Sequence, residues 1–248
     1  MPSKSATPRE SAIRLVSVYP TLLGTYGDGG NLRVLTMRAR ARGFAVEPLE
    51  LDAGKPVPAG ADVYLLGGGE DDAQVAAARA LRRDGGLGLA VERGAVLFGV
   101  CAGYQLLGKE FPGSNGILEP GLELLDVTTA RLPRRAVGEL LADALPSPGV
   151  GLTQPLTGYE NHAGGTTLGA GARPLARVRA GVGNGVAEVE GAVQGHILGT
   201  YLHGPGLARN PELADLLLSW VVGQSLRPLD MPAVDALRSE RLAAVKPL

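Results

Sequence analysis

The chain has 248 residues, 45% of them hydrophobic, enough for a sizeable core in one large domain or two small ones; one is expected. Its 24 basic and 25 acidic residues leave a formal net charge of −1, so the overall balance gives no footprint for a nucleic acid or an anionic membrane, and small metabolites or another protein are the expected partners. A single cysteine and three histidines, His162, His196 and His203, exclude an internal disulfide and argue against a structural zinc site.

The N-terminal "MPSKSATPRESA" is polar and lacks the apolar centre of a secretion signal, and no apolar run reaches the ~18 residues of a membrane helix. The expectation is a cytoplasmic protein with a disordered tail over 1–11 and a single domain over 12–248. "IRLVSVYP" reads as a short buried strand ended by Pro20. "NLRVLTMRARARG" reads as a helix with Leu32, Leu35 and Ala39 near one face and Gly43 at its stop. "FAVEPLEL" and "DVYLLGGG" read as strands. "DDAQVAAARALRRDGG" is a helix that starts in acids and ends in bases, as the helix dipole prefers, and "AVLFGV" is a third strong strand. Strands alternating with helices at this spacing predict βαβ units, that is, an α/β fold with a mainly parallel sheet covered by helices on both faces.

From about Pro112 the texture changes to Gly- and Pro-rich turns between short β-like runs, which predicts added β-hairpins in the C-terminal half. "EVEGAV" reads as a hairpin turning at Glu190-Gly191. "NPELADLLLSWVVG" reads as a helix capped by Asn210, with Pro211 at its first position and Leu213, Leu216, Leu217, Trp220 and Val221 at core spacing. A last, peripheral helix is expected from about Ala233.

The stretch "FGVCAGYQLLG" (98–108) carries the chemistry. Cys101 falls where a buried strand gives way to a helix and is flanked as Gly99-Val100-Cys101-Ala102-Gly103, a thiol form of the nucleophile elbow. Such a turn crowds the backbone, so small residues are needed two before and two after the nucleophile. A helix N-terminus favours the thiolate, the form that attacks carbonyls. The alternative is a cysteine that only packs in a strand-end turn.

A thiolate nucleophile needs a proton carrier. His203 is favoured, because "LGTYLHGP" places it on a sharp turn at a sheet edge. His196, inside "QGHIL", reads as a strand residue, and His162, in "GYENHAGGT", as part of a polar loop able to touch a ligand or position the loop. Acyl chemistry also needs backbone N–H donors at the developing oxyanion. Ala102 supplies one; Gly67-Gly68-Gly69 supplies others, or is only a flexible strand-to-helix loop.

Gly99-Val100-Cys101-Ala102-Gly103-Tyr104-Gln105 resembles the G-x-C-x-G-x-Q signature of class I (triad-type) glutamine amidotransferases, which have a flavodoxin-like fold. Four further stretches resemble the cobyric acid synthase-like branch: "VYPTLLGTYGDGGN" (18–31), "LLGGGEDDAQ" (65–74), "GYENHAGGT" (158–166) and "GTYLHGPGLARNPELADLLL" (199–218). With "YGDGGN" so near the start, the chain is similar to the small glutaminase subunits, of the GatD type, of lipid II isoglutaminyl synthases. The resemblance implies that Cys101 attacks the side-chain amide of L-glutamine and that His203 protonates the departing ammonia. It implies Gly68 or Gly69 with Ala102 as the oxyanion hole, and Gln105 and Arg135 as substrate-binding residues, with Arg134 the neighbouring alternative. Two departures stand out. The Glu usual two residues after the His is replaced by Pro205, which leaves the third triad member unassigned, and the residue after Cys is Ala102 rather than Gly.

Ammonia at neutral pH is mostly protonated, so a glutaminase of this kind needs an acceptor site nearby. Amide synthesis from a carboxylate needs ATP, and no G-x-x-x-x-G-K-[ST] loop occurs: Gly54-Lys55 precedes Pro56, and Gly108-Lys109 precedes Glu110. No metal and no cofactor is expected in this chain. Cobyric acid synthases carry an ATP-binding domain ahead of the amidotransferase domain, for which this sequence has no room. The resemblance therefore implies a separate Mur-ligase-like partner, of the MurT type, that uses ATP and Mg to activate the α-carboxylate of D-glutamate in the lipid II stem peptide. Competing readings are an amidotransferase component acting on a corrinoid (cobyric or cobyrinic acid), an isolated Cys hydrolase, and a non-catalytic scaffolding subunit.

Overall fold

The computed structural model describes residues 11–245; the expected disordered tail falls, over residues 1–10, outside the described residues. In chain order the elements are β1 (Ile13–Val18), α1 (Gly30–Ala41), β2 (Val46–Leu51), β3 (Val63–Leu66), α2 (Asp71–Asp84), α3 (Gly86–Glu92), β4 (Val96–Val100) and α4 (Ala102–Leu107). There follow β5 (Glu110–Pro112), β6 (Leu118–Pro120), β7 (Val127–Ala144), β8 (Leu156–Leu168), β9 (Ala176–Ala180), β10 (Val189–Glu190), β11 (Ala192–Gln194), β12 (Ile197–Thr200), α5 (Gly206–Arg209), α6 (Pro211–Val222) and α7 (Pro232–Ala244).

A six-stranded sheet in the order β11-β12-β4-β3-β1-β2 forms the centre. All its pairings are parallel except β11 with β12. "VYLL" of β3 and "VLFGV" of β4 are buried at every residue. Successive side chains of a strand point to opposite faces, so both faces of this sheet are covered, as the continuous apolar runs predict. Edge strand β2 exposes Glu47, Pro48 and Glu50, residues that discourage pairing with another chain. Because β2 lies on one side of β1 and β3, β4 and β12 on the other, the order reverses at β1. The loops leaving the C-terminal ends of β1, β3, β4 and β12 gather beside that reversal, where open α/β sheets place their sites.

The C-terminal half adds a four-stranded antiparallel sheet, β10-β9-β7-β8, and the small hairpin β5-β6. Two of its strands are long, 18 residues in β7 and 13 in β8, where the sequence reads as short runs. The Gly and Pro residues that suggest breaks instead build irregularities within continuous pairing. Between Arg131 and Ala136 the register with β8 shifts, and Pro133, which cannot donate to a ladder, lies in the bulge.

"EVEGAV" is not a hairpin. Val189 and Glu190 pair with β9 of the second sheet, while Ala192 onward pairs with β12 of the first, and Gly191, at φ 64°, is the point of transfer. A side chain at Gly191 would lie 2.6 Å from the carbonyl oxygen of Gly199, a close approach that periodicity cannot reveal. The hairpin turns five residues later, at Gly195-His196, between Gln194 and Ile197. His196 is therefore an exposed turn residue stacked on Trp220 rather than a strand residue. Helix α6 forms as read, with Leu213, Leu216 and Leu217 buried. Asn210 precedes it without a side-chain cap: its amide holds Thr157 of β8 and the Gly206 carbonyl instead. Helix α7 is peripheral, with no buried residue.

Candidate active site

Cys101 stands between β4 and α4 with φ 52° and ψ −106°, a backbone conformation costing about 1–3 kcal/mol in a non-glycine residue. Its surroundings impose it. The Cys101 N–H donates to the Thr200 carbonyl on β12 at 2.9 Å, and the Gly103 N–H donates to the Gly67 carbonyl at 3.0 Å. A Cβ on Gly99 would lie 2.9 Å from the Gly103 backbone, and one on Gly103 would lie 2.3 Å from the Leu66 carbonyl. The two glycines are thus steric requirements of the elbow. The thiol is 6% exposed, with Sγ 3.9 Å from the Asn161 carbonyl of β8.

His203 follows β12 and is fully buried. Its backbone N–H and C=O both pair with Tyr159 of β8, at 2.9 and 3.2 Å. Its Nδ1 lies 3.0 Å from Asp28 Oδ2, itself buried in the loop between β1 and α1. The missing acid two residues after the histidine is therefore replaced by one that precedes it by 175 positions. Pro205, at the usual acid position, packs on Gly30: a Cβ there would lie 2.2 Å from Pro205 Cγ, so Gly30 lets the Asp28 loop close on the His203 turn. Burial works against a charged ring, but the bond to Asp28 and the interaction with the Cys101 thiol outweigh it and push the His203 pKa up to about 10. Nε2 finds no acceptor among the described residues, which leaves it for Cys101. The ring of Tyr26 stands edge-on to the imidazole at 5.0 Å.

The third expected element is divided. The Gly68 N–H donates to Asp28 Oδ2 at 2.8 Å, so Gly68 is not an oxyanion donor; it holds the carboxylate that holds His203. A Cβ on Gly68 would lie 2.6 Å from His203 Cε1, which explains why the position carries no side chain. The N–H groups of Gly69 and Ala102 donate to no group among the described residues, and both residues line the cleft with Cys101.

Gln105 lines the same cleft, its carbonyl accepting from Gln74 Nε2 at 3.0 Å and its amide donating to the Tyr201 hydroxyl at 3.2 Å. Arg135 is lifted to the rim by the β7 bulge, and its Nε donates to Asn161 Oδ1 at 2.6 Å; Arg134 does not line the cleft. His162 belongs to strand β8, not to a loop. It is buried, stacked on Tyr201 at 3.7 Å, with Nδ1 2.8 Å from the Gly164 carbonyl. The free space beside Cys101 is only about 30 Å³, and the exposed Arg131 and Arg135 stand among its lining residues. Asp28, Asn161 and Gln74 are the site residues the sequence reading missed. For Asp28 a signal existed: an acid in the Gly-rich loop "TYGDGGN" directly after a buried strand.

No group of three metal-ligating side chains occurs among the described residues, and no helix among them is long and apolar enough to cross a membrane. A thiol on a strained elbow, an imidazole held by a carboxylate and two unengaged amides can together carry acyl transfer through a thioester. Residues 14–211 match the CobB/CobQ-like glutamine amidotransferase domain, and the chain belongs to that family. It is 32% identical over 216 residues to the GatD subunit of lipid II isoglutaminyl synthase (glutamine-hydrolyzing) of Staphylococcus aureus, covering 86% of both chains. It is also 36% identical over 182 residues to a cobyric acid synthase of Sphingopyxis alaskensis, covering 70% of this chain but 34% of that protein. Among solved structures, a glutamine amidotransferase shares the fold at a TM-score of 0.55 and 23% identity, covering 83% of this chain and 98% of its own.

Proposed function

We propose that this glutamine amidotransferase is the glutaminase subunit of a lipid II isoglutaminyl synthase. The observation that carries the chemistry is the convergence of Cys101, His203 and Asp28 beside the free amides of Gly69 and Ala102. The Cys101 thiolate attacks the side-chain carbonyl carbon of L-glutamine, and the oxyanion forms against the Gly69 and Ala102 N–H groups. His203, charged at rest, gives its proton to the leaving nitrogen as the C–N bond breaks and ammonia departs. A water, deprotonated by the now neutral His203, then attacks the γ-glutamyl thioester; the C–S bond breaks, glutamate leaves with its carboxyl proton released to solvent, and the Cys101 thiolate beside a charged His203 is regenerated. Asp28 holds the ring in the tautomer this requires and stabilises the imidazolium. Arg135 receives the α-carboxylate, and Gln105 shapes the wall of the substrate site.

The ammonia is used by a separate Mur-ligase-like subunit, of the MurT type, which supplies ATP, Mg and the D-glutamate α-carboxylate of the stem peptide; the setting is the cytoplasm. The similarity to the S. aureus GatD subunit over 86% of both chains supports this acceptor. The identity to a cobyric acid synthase favours a second reading, amidation of a corrinoid. The test measures ammonia release from glutamine by the wild-type chain and by Cys101→Ser, with and without a Mur-ligase-like partner, and then the amidated product. Cys-dependent release with D-isoglutamine formation is expected. Cys101-independent release, or none with the partner present, rejects the glutaminase; amidation of cobyrinic acid but not of lipid II selects the second reading.

A further inference from the structure

Four carboxylates lie buried among the described residues: Asp28, Glu160, Glu190 and Asp215. Three have a basic partner. Asp28 has His203 at 3.0 Å, Asp215 has Arg38 and Arg42 at 2.7 Å each, and Glu160 has His162 at 3.5 Å. Glu190 makes no ion pair among the described residues. It is 0% exposed, at the end of β10 where the chain passes from one sheet to the other. A buried carboxylate without a counter-charge is costly, and a polar amide or hydroxyl would fill the place more cheaply.

Its contacts indicate what it does. Oε1 accepts the Tyr201 N–H at 2.9 Å and the Thr200 hydroxyl, while Oε2 has no partner among the described residues. Thr200 is the last residue of β12: its carbonyl receives the Cys101 N–H at 2.9 Å, and its hydroxyl receives the Leu202 N–H at 3.1 Å. Tyr201 bonds Thr166 and Gln105 through its hydroxyl, at 2.7 and 3.2 Å. Leu202 alone separates Tyr201 from His203.

We infer that Glu190 is a positioning residue for this site: its carboxylate clamps Thr200 and Tyr201 and so fixes the backbone that presents His203 to Cys101. The inference rests on the reading that Cys101 and His203 act together. Bonds to an ionised acceptor are about twice as strong as neutral ones, which gives a carboxylate an advantage over an amide here. Burial first of all raises the Glu190 pKa, to about 7, against the opposing bonds from Thr200 and Tyr201; Glu160 pushes the same way as burial. Tyr104 and Tyr201 are the other titratable groups that face it, and both are held protonated by burial. The clamp therefore weakens as pH falls through about 7.

The experiment compares wild type, Glu190→Ala and Glu190→Gln as full chains, reading kcat and KM for glutamine hydrolysis and the rate at which iodoacetamide alkylates Cys101 at pH 7. In Glu190→Ala, kcat is expected to fall about 30-fold with KM within about threefold, and alkylation to slow about tenfold. Glu190→Gln, which keeps an acceptor for both donors, is expected to recover most of this and to lose the wild-type decline between pH 8 and pH 6. A folded Glu190→Ala whose kcat and alkylation rate stay within about twofold of wild type overturns the inference. If Glu190→Ala does not fold, Thr200→Val removes the other end of the clamp and must lower both rates. If the wild-type chain releases no ammonia, the functional reading fails, while the alkylation comparison still decides whether Glu190 places His203 against Cys101.

Discussion

The elbow over residues 96–107 and the turn over 199–209 each present one side chain of the candidate site, and they are built on different principles. Cys101 is held largely by its own neighbourhood, two glycines at fixed spacing, the end of a fully buried strand and the first turn of α4, with the Thr200 and Gly67 carbonyls completing the hold. His203 is held by residues far away in the chain, Asp28 on one side and Tyr159 on another, while Glu190 bonds the end of the strand that leads to it. Much of a strained backbone can be encoded within about five residues, since Gly99 is crowded by Gly103 itself, although Gly103 also answers to Leu66 on β3. An imidazole needs its tautomer and charge set by partners on its ring, and those partners are free to come from anywhere. The practical consequence is that damage at the elbow removes the reaction itself, whereas damage around the turn is graded.

The largest expected effect is at the elbow. Cys101→Ser lowers ammonia release by at least about a thousandfold, ~4 kcal/mol of transition-state stabilisation, with the thermal transition little changed. A retained rate would mean that the elbow serves packing alone. Next comes the orienting acid: Asp28→Asn lowers kcat about 100-fold or more, with the fold retained on circular dichroism, because an amide no longer stabilises the imidazolium. The same variant has a stability signature. His203 has its pKa raised on folding, so it contributes stability that is complete below the unfolded value near 6.5 and is lost as pH rises toward about 10. Melting temperature measured across that range declines in the wild type and should decline less in Asp28→Asn.

Gly68→Ala tests whether the two sides of the comparison are independent. The new methyl presses on His203 Cε1 and Asp28, not on the elbow, so kcat falls about tenfold while the Cys101 backbone keeps its strained geometry in a crystal structure of the variant. The smallest effects separate the two adjacent arginines at the bulge. Arg135→Ala raises KM for glutamine about tenfold, through loss of the rim cation, while Arg134→Ala changes kcat/KM and stability by less than about 0.5 kcal/mol. Equal effects of the two would place the substrate carboxylate elsewhere.

Much of this site is legible in the sequence wherever a short-range rule applies. The alternation of apolar runs with amphipathic helices gives the parallel sheet, and G-x-C-x-G gives the elbow with its steric reason. The signals fail where contacts are made between distant segments. "EVEGAV" satisfies the local pattern of a hairpin, yet its two halves find better partners in different sheets. "GYENHAGGT" reads as a loop because of its glycines, but those glycines let β8 pack closely: a Cβ on Gly158 would lie 2.8 Å from the Leu202 side chain, and one on Gly164 2.2 Å from Gln105 Nε2. His162 thereby becomes a buried strand residue.

The sequence by itself determined the fold class, put Cys101 at the turn from a buried strand into a helix and put His203 on the turn after another strand, because each follows from spacing and residue type along a few neighbouring positions. Only the tertiary structure decided what stands behind His203, which glycine amides are free and which arginine reaches the rim. Asp28 and His203 meet because β1 and β12 end on the same side of one sheet, and the Gly68 N–H is engaged because it turns to that same carboxylate. Hydrogen-bond partners of this kind are set by the order in which strands lie beside one another, and spacing along the chain carries no record of that order.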